Sequence, residues 1–336
     1  MNATSNFRAV FVGVGSVVLS IAAGHIRAEP TPPALQLEAK IPLGDVRGRI
    51  DHLAIDLNRR RLFVAELGND SVGVIDLKER KVIKTITGLK EPQGVAYVPS
   101  SDTLYITNAG DGSVRVFKAG NFEPAGQIDL GSDADNIRVD AANNRVVIGY
   151  GNGALAMIDP TTRGKAADFS LKAHPEGFQL GRSSGHIFVN VPSKGEIAIV
   201  DRAVGKQIAS WSLSNSGNFP MALDDESQHV LVMFRSPAAL GVFSMRDGAS
   251  VASLPSCGDA DDVFIDKKRH RVYVSCGSGF LDVFDAQGGT YRHVANIPTV
   301  SGARTSLFVP ELDRFLLAVR ANTGEPAAIW IYRPTP

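Results

Sequence analysis

Apolar and polar residues alternate in short runs along most of the chain, and the runs come in groups. Between Asp259 and Asp285 the sequence DADDVFIDKKRHRVYVSCGSGFLDVFD places Val263 and Ile265 before Asp266, then a polar turn, then Val272, Tyr273 and Val274, then a Gly-containing loop and a third run that closes at Asp285. Runs of this kind separated by turn-forming residues predict three short strands joined by tight turns. The pattern also appears from Ile50, in IDHLAIDLNRRRLFVAELGNDSVGVIDLKERKVIKTI, and at five further places. Residues equivalent to Asp56 are Val98, Asp140, Gly181, Asp224, Asp266 and Val309. Their spacing of about 42 residues is that of a four-stranded propeller blade.

The run Leu35 to Leu43 (LQLEAKIPL) belongs to no hairpin that follows it and matches the last strand of later units, as in KVIKTITG and AGQIDL. The seventh unit, SLFVPELDRFLLAVRANTGEPAAIWIYR, stops after its third strand. The N-terminal strand therefore supplies the missing fourth, sealing a ring that leaves only short, protected sheet edges. The pattern predicts an all-β chain, a seven-bladed β-propeller of four-stranded antiparallel blades over residues 35–336, as a single domain. No stretch of that region sustains a helical period.

Residues 1 to 28 read as a signal peptide: Arg8, an uncharged run from Ala9 to Ala23, and Ala28 before Glu29, with Ile26 where a small residue is preferred. The Pro-rich residues 29 to 34 read as a flexible lead-in. The expected location is the periplasm or outside the cell, with no membrane span once the leader is removed. The chain carries 35 basic and 35 acidic residues. Without residues 1 to 28 it has no basic excess, which argues against a dedicated nucleic-acid binder. A local patch at Arg47, Arg49 and Arg59 to Arg61 keeps that reading as a further alternative.

Tyr105, Ile106, Thr107 and Asn108, followed by Gly110, Asp111, Gly112 and Ser113, resemble the strand signature of YVTN-type β-propeller repeat proteins, the group that includes YncE-like periplasmic propellers. Val64 with Asn69 to Ser71 and VGVID is a second match, and Val274 to Gly279 a third. The resemblance covers residues 35 to 334. It implies the fold and not one activity, because related propellers include lactonases, electron-transfer enzymes and binding proteins.

In a propeller the loops that enter the innermost strands converge at one mouth of the channel. The repeat alignment places two rings there. The first is Asp51, Gln93, Asp135, Glu176, Phe219, Asp261 and Arg304, and the second is His52, Gly94, Asn136, Gly177, Pro220, Asp262 and Thr305. Four of the seven blades carry carboxylates at these positions, with His52, His174 and Arg304 beside them. Such a cluster favours a bound cation, a shared proton or pairing with Arg304. Gluconolactonase-like propellers hold a divalent metal at this mouth, and Glu176, Asp135, Asn136 and Asp261 would supply an oxygen set for calcium or a similar ion. The plainer alternative assigns these residues to loop capping.

The two cysteines, Cys257 and Cys276, fall at the ends of one predicted hairpin, where a disulfide and two free thiols are both compatible with the sequence. No C-x-x-C-H motif is present, so covalent haem is not expected. Gly181 to Gly185 satisfies G-x-S-x-G, but between strands and not at a strand-to-helix elbow. The sequence thus points to an exported binding propeller, expected to be monomeric, that takes a small ligand, a metal ion or a protein partner at Asp51, His52, Asp135, Asn136, His174, Glu176, Asp261, Asp262 and Arg304. A metal-dependent, lactonase-like hydrolase is the enzymatic alternative.

Overall fold

In the computed structural model of the chain, which describes residues 1–6, 8–11, 13, 33–182 and 184–336, each repeat is a four-stranded antiparallel sheet. The local cause lies in the turns. In blade 1, Asp56 ends the strand Leu53–Asp56 and accepts the N–H groups of Asn58 and Arg59 at 3.0 and 3.1 Å, while Arg60 takes a φ of 51° before Arg61–Glu66 begins. Blade 6 repeats the device: Asp266 accepts the N–H groups of Lys268 and Arg269, and His270 takes the positive φ. These aspartates fix the hairpin, and their arginine partners are Arg59 and Arg269, not the strand residues Arg61 and Arg271.

Side-chain pattern follows depth. Within Arg61–Glu66, Leu62, Phe63, Val64 and Ala65 are all fully buried, because second and third strands are covered by neighbouring blades on both faces. The outer strand Lys81–Ile86 faces water on one side and is mostly exposed. Seven apolar clusters result, one at each interface between successive blades. The seven first strands contact one another in sequence, and Leu53–Asp56 meets Ser306–Val309 to complete the ring.

The last blade pairs its innermost strand, Ser306–Val309, with Arg314–Val319, then Ala328–Pro334, and finally the N-terminal strand Leu35–Pro42. Leu35 is opposite Pro334 and Ile41 opposite Ile329. The seam extends beyond the strand. Thr335 donates its N–H to Ala34 and its hydroxyl to Pro33, so the end of the expected lead-in is fastened to the blade. Lys40 adds an ion pair to Glu325 at 3.0 Å and lies 4.0 Å above the Trp330 ring. The expected signal peptide falls largely outside the described residues. Among the described residues, no helix is long and apolar enough to cross a membrane.

Candidate functional site at the channel mouth

The mouth is built by hydrogen bonds that tie each blade to the first strand of the next. His52 donates its N–H to the Gln93 carbonyl of blade 2, and Gly177 does the same to Phe219 of blade 5. Side chains of the second strands reinforce these links. Thr107 accepts the Gly94 N–H at 2.8 Å and donates to the Asp135 carbonyl at 2.5 Å; Asn190 donates to the Phe219 carbonyl, and Ser275 to that of Arg304. The threonine of the YITN stretch is therefore a positioning residue for the ring. The glycines of the second ring have the same origin: a Cβ on Gly94 or Gly177 would lie 2.4 Å from the next blade's carbonyl. Register shifts at the start of the first strand in blades 2, 3, 5 and 6 turn the side chains there toward the axis.

Five blades contribute to one cavity of about 50 Å3, lined by Asp51, His52, Asp135, Asn136, Glu176, Asp261 and Asp262 together with Arg49, Arg138, Gln179 and Phe219. Most of its acids are answered locally. Asp261 lies 2.6 Å from Arg235 and 2.9 Å from Arg304, which also hold Asp259. Arg235 in turn stacks on Phe219, 3.6 Å from the ring centre. Asp51, 1% exposed, has Arg49 at 2.7 Å, although Oδ2 receives no well-directed hydrogen bond. His174 stands behind the cavity wall, bonded to the Gly151 carbonyl at 2.6 Å and 3.4 and 3.7 Å from Asp133 and Asp135.

Three groups are not answered. Glu176 makes no ion pair or side-chain hydrogen bond among the described residues, and Asn136, 4% exposed, leaves its Oδ1 without a partner. Among the described residues, Arg138 has one bond, from Nη1 to its own neighbour's carbonyl at Ile137, and no ion pair.

Enclosure sets the charge states. Burial, reinforced by repulsion from Asp135 and Asp261 and opposed by His174, raises the Glu176 carboxyl to about 7. Burial raises Asp262 to about 7 despite the opposing pull of His52 and the Ser306 N–H, and Asp51 to about 6 despite His52 and Arg49. Burial lowers His174, but Asp135, the Gly151 carbonyl and Asp133 outweigh it and hold the imidazole up at about 9. His52, 3.7 Å from Asp51 and 3.8 Å from Asp262, is likewise shifted upward as those carboxylates outweigh burial. Arg138 goes the other way: burial lowers it, Asp262 and Asp135 opposing.

The rings read from the sequence do meet, but with a different chemistry from a calcium cage. Asp261 is taken by two arginines and Asp135 faces His174, and among the described residues no three His, Cys, Asp or Glu side chains are gathered as metal ligands. His174 and Arg304 act from behind the wall. Sequence reasoning missed Arg49, Arg235, Arg138 and Gln179. The last two lie two residues beyond Asn136 and Gly177 on their strands, so the period-two alternation carried a signal for them.

Cys257 and Cys276 are joined in a disulfide whose Cα atoms are 5.9 Å apart. The buried Asp282 steadies the same loop by accepting the Cys257 N–H at 2.7 Å and the Ser256 hydroxyl at 2.9 Å. The basic patch is largely consumed: Arg49 by Asp51, Arg59 by Asp56 and Asp102, Arg61 by the carbonyls of Ala119 and Gly120. A larger groove of about 620 Å3 lies on the opposite face, lined by hairpin residues of blades 5 and 6 such as Glu226, Lys267 and Gln287.

Fold and mouth together define a seven-bladed β-propeller, a rigid ring suited to a binding or scaffolding role. No protein-family model matches the chain, and none of the curated proteins compared with it does. Among solved structures, hydrazine synthase from Kuenenia stuttgartiensis is similar, with 15% identity and a TM-score of 0.74 over 92% of this chain and 99% of that one. As many as 1810 solved chains match in structure. The likeness therefore speaks for the fold and leaves function to the residues at the mouth.

Proposed function

We propose that the chain is an exported propeller that binds a small ligand bearing a protonated amine at the mouth of its channel. The observation that carries this reading is Glu176, an unpaired carboxyl in a cavity where the other acids have partners. The unpartnered acceptor of Asn136 on the same wall adds a second place for an N–H donor. An ammonium group answers the carboxylate, with its positive charge offsetting the crowding that holds Glu176 protonated near neutrality. A volume of about 50 Å3 accommodates roughly four water-sized groups, which suits a head group or a very small molecule. The disulfide supports an oxidising compartment, and the strand signature around Tyr105 to Asn108 supports a place among YVTN-type propellers.

Titration calorimetry of the full chain with methylammonium at pH 8 tests the proposal. One saturable site, weakened about tenfold or more in Glu176→Gln, is expected. Absence of saturable binding in the folded wild-type protein would overturn it.

A further inference from the structure

Resting on that reading, we infer that the ligand is a small zwitterion, with a carboxylate received by Arg138 as well as an amine received by Glu176. The same cavity that holds an unpaired carboxyl holds an unpaired guanidinium, and the two are not in ion-pair contact with each other. Opposite charges facing one enclosed space without meeting leave a gap that a molecule of complementary ends fills.

Arg138 is no ordinary channel arginine. Its neighbours at the mouth, Arg49, Arg235 and Arg304, each lie within 3 Å of a carboxylate oxygen, whereas Arg138 spends a single N–H on the Ile137 carbonyl. The ring of Phe178, 5.5 Å away, gives it a packing surface and no charge. A guanidinium offers five donors in a planar fork that matches a carboxylate with two parallel bonds. Gln179, on the adjoining strand, also lines the cavity, and its amide nitrogen is committed to the Met221 carbonyl at 2.9 Å.

An anion alone would meet the acids of the mouth, and a cation alone would leave Arg138 unanswered. A ligand with both charges avoids each cost. Size adds to this: about four water-sized groups is close to the bulk of a two-carbon amino acid, or of the zwitterionic head of a larger one whose remainder leaves through the mouth.

The test uses the full chain at pH 8 with three probes in parallel calorimetric titrations: glycine, methylammonium and acetate. Glycine is expected to bind at least about tenfold more tightly than methylammonium, with acetate silent. Arg138→Gln is expected to bring glycine down to the methylammonium level, with methylammonium affinity not falling, since the loss of a neighbouring positive charge does not weaken a bound cation. Arg138→Lys, which keeps the charge and loses the fork, is expected to fall between, and thermal unfolding without ligand verifies that each variant is folded. Methylammonium binding as tightly as glycine would overturn the zwitterion and leave the amine site standing, as would an equal loss of both probes in a folded Arg138→Gln. Failure of all three probes would overturn both proposals.

Discussion

Glu176 behaves as a weak acid because its ionised form has no partner in a confined space. Its pKa stands at about 7 against an ordinary 4.5, so the folded chain holds that proton more tightly than the unfolded chain. The stability this contributes is complete below pH 4.5 and is lost as pH rises through 7, the direction opposite to that of a salt-bridged carboxylate. Glu176→Gln should therefore stabilise the protein at pH 8, by on the order of 1–2 kcal/mol once the wet channel's screening is allowed for, and should change little at pH 4. Urea unfolding at the two pH values reads the difference. Amine binding needs the ionised carboxyl, so methylammonium affinity should climb between pH 5 and 8 and flatten above. Asp266 makes the contrast: 1% exposed, it accepts two turn N–H groups, the Arg269 guanidinium and the Tyr273 hydroxyl. Asp266→Ala should cost about 1–3 kcal/mol in urea unfolding, because it leaves the buried Tyr273 hydroxyl and two turn N–H groups without their acceptor, while Arg269 keeps its pair with Asp313 at 2.6 Å.

At the scale of the strand and the hairpin, the clearest stake is the bond between Cys257 and Cys276, 19 residues apart. Closing a loop of that length restricts the unfolded chain by about 3 kcal/mol, so the double serine variant should unfold at correspondingly lower urea and lose its sensitivity to reductant. Strands and hairpins were legible because each carries its own chemistry: period-two apolar runs, Asp at the strand end, and a turn residue with positive φ. The two rings of the mouth followed from the repeat alone, since every blade delivers the same position to the axis. What the alignment could not convey is which neighbour answers each acid. Arg235 comes from the end of the second strand of blade 5, His229–Ser236, and reaches Asp261 on the next blade. Arg138 was hidden for a simpler reason. The rings end at Asn136, within the register shift between Ala134 and Ile137, one period-two step short of Arg138.

For the whole molecule, stability is spread over seven similar interfaces between blades, and the last blade alone is completed by a seam between distant segments, Leu35–Pro42 and Ala328–Pro334. Ile41 is fully buried there, within the cluster that joins the last blade to the first. Ile41→Ala should cost about 2–5 kcal/mol, as for other large-to-small core changes, and calorimetry should show the loss in the main transition, since an open ring exposes both adjoining blades. A low-temperature step confined to a fraction of the heat, with the main transition unmoved, would show instead that the seam is not coupled to the ring.

The seam also sets an order in time. Gln36 and Arg333, bonded across it, are 297 residues apart. Bringing such distant segments together costs about 3 kcal/mol more chain entropy than closing a six-residue hairpin, so six blades can form from local contacts while the last strand pair waits. A chain made or threaded from its N-terminus presents Leu35–Pro42 first and its partner last, and throughout the interval that strand has no edge to join. Emergence of Ala328–Pro334 is then the event that locks the ring, and a chain cut before Ala328 forfeits the closure.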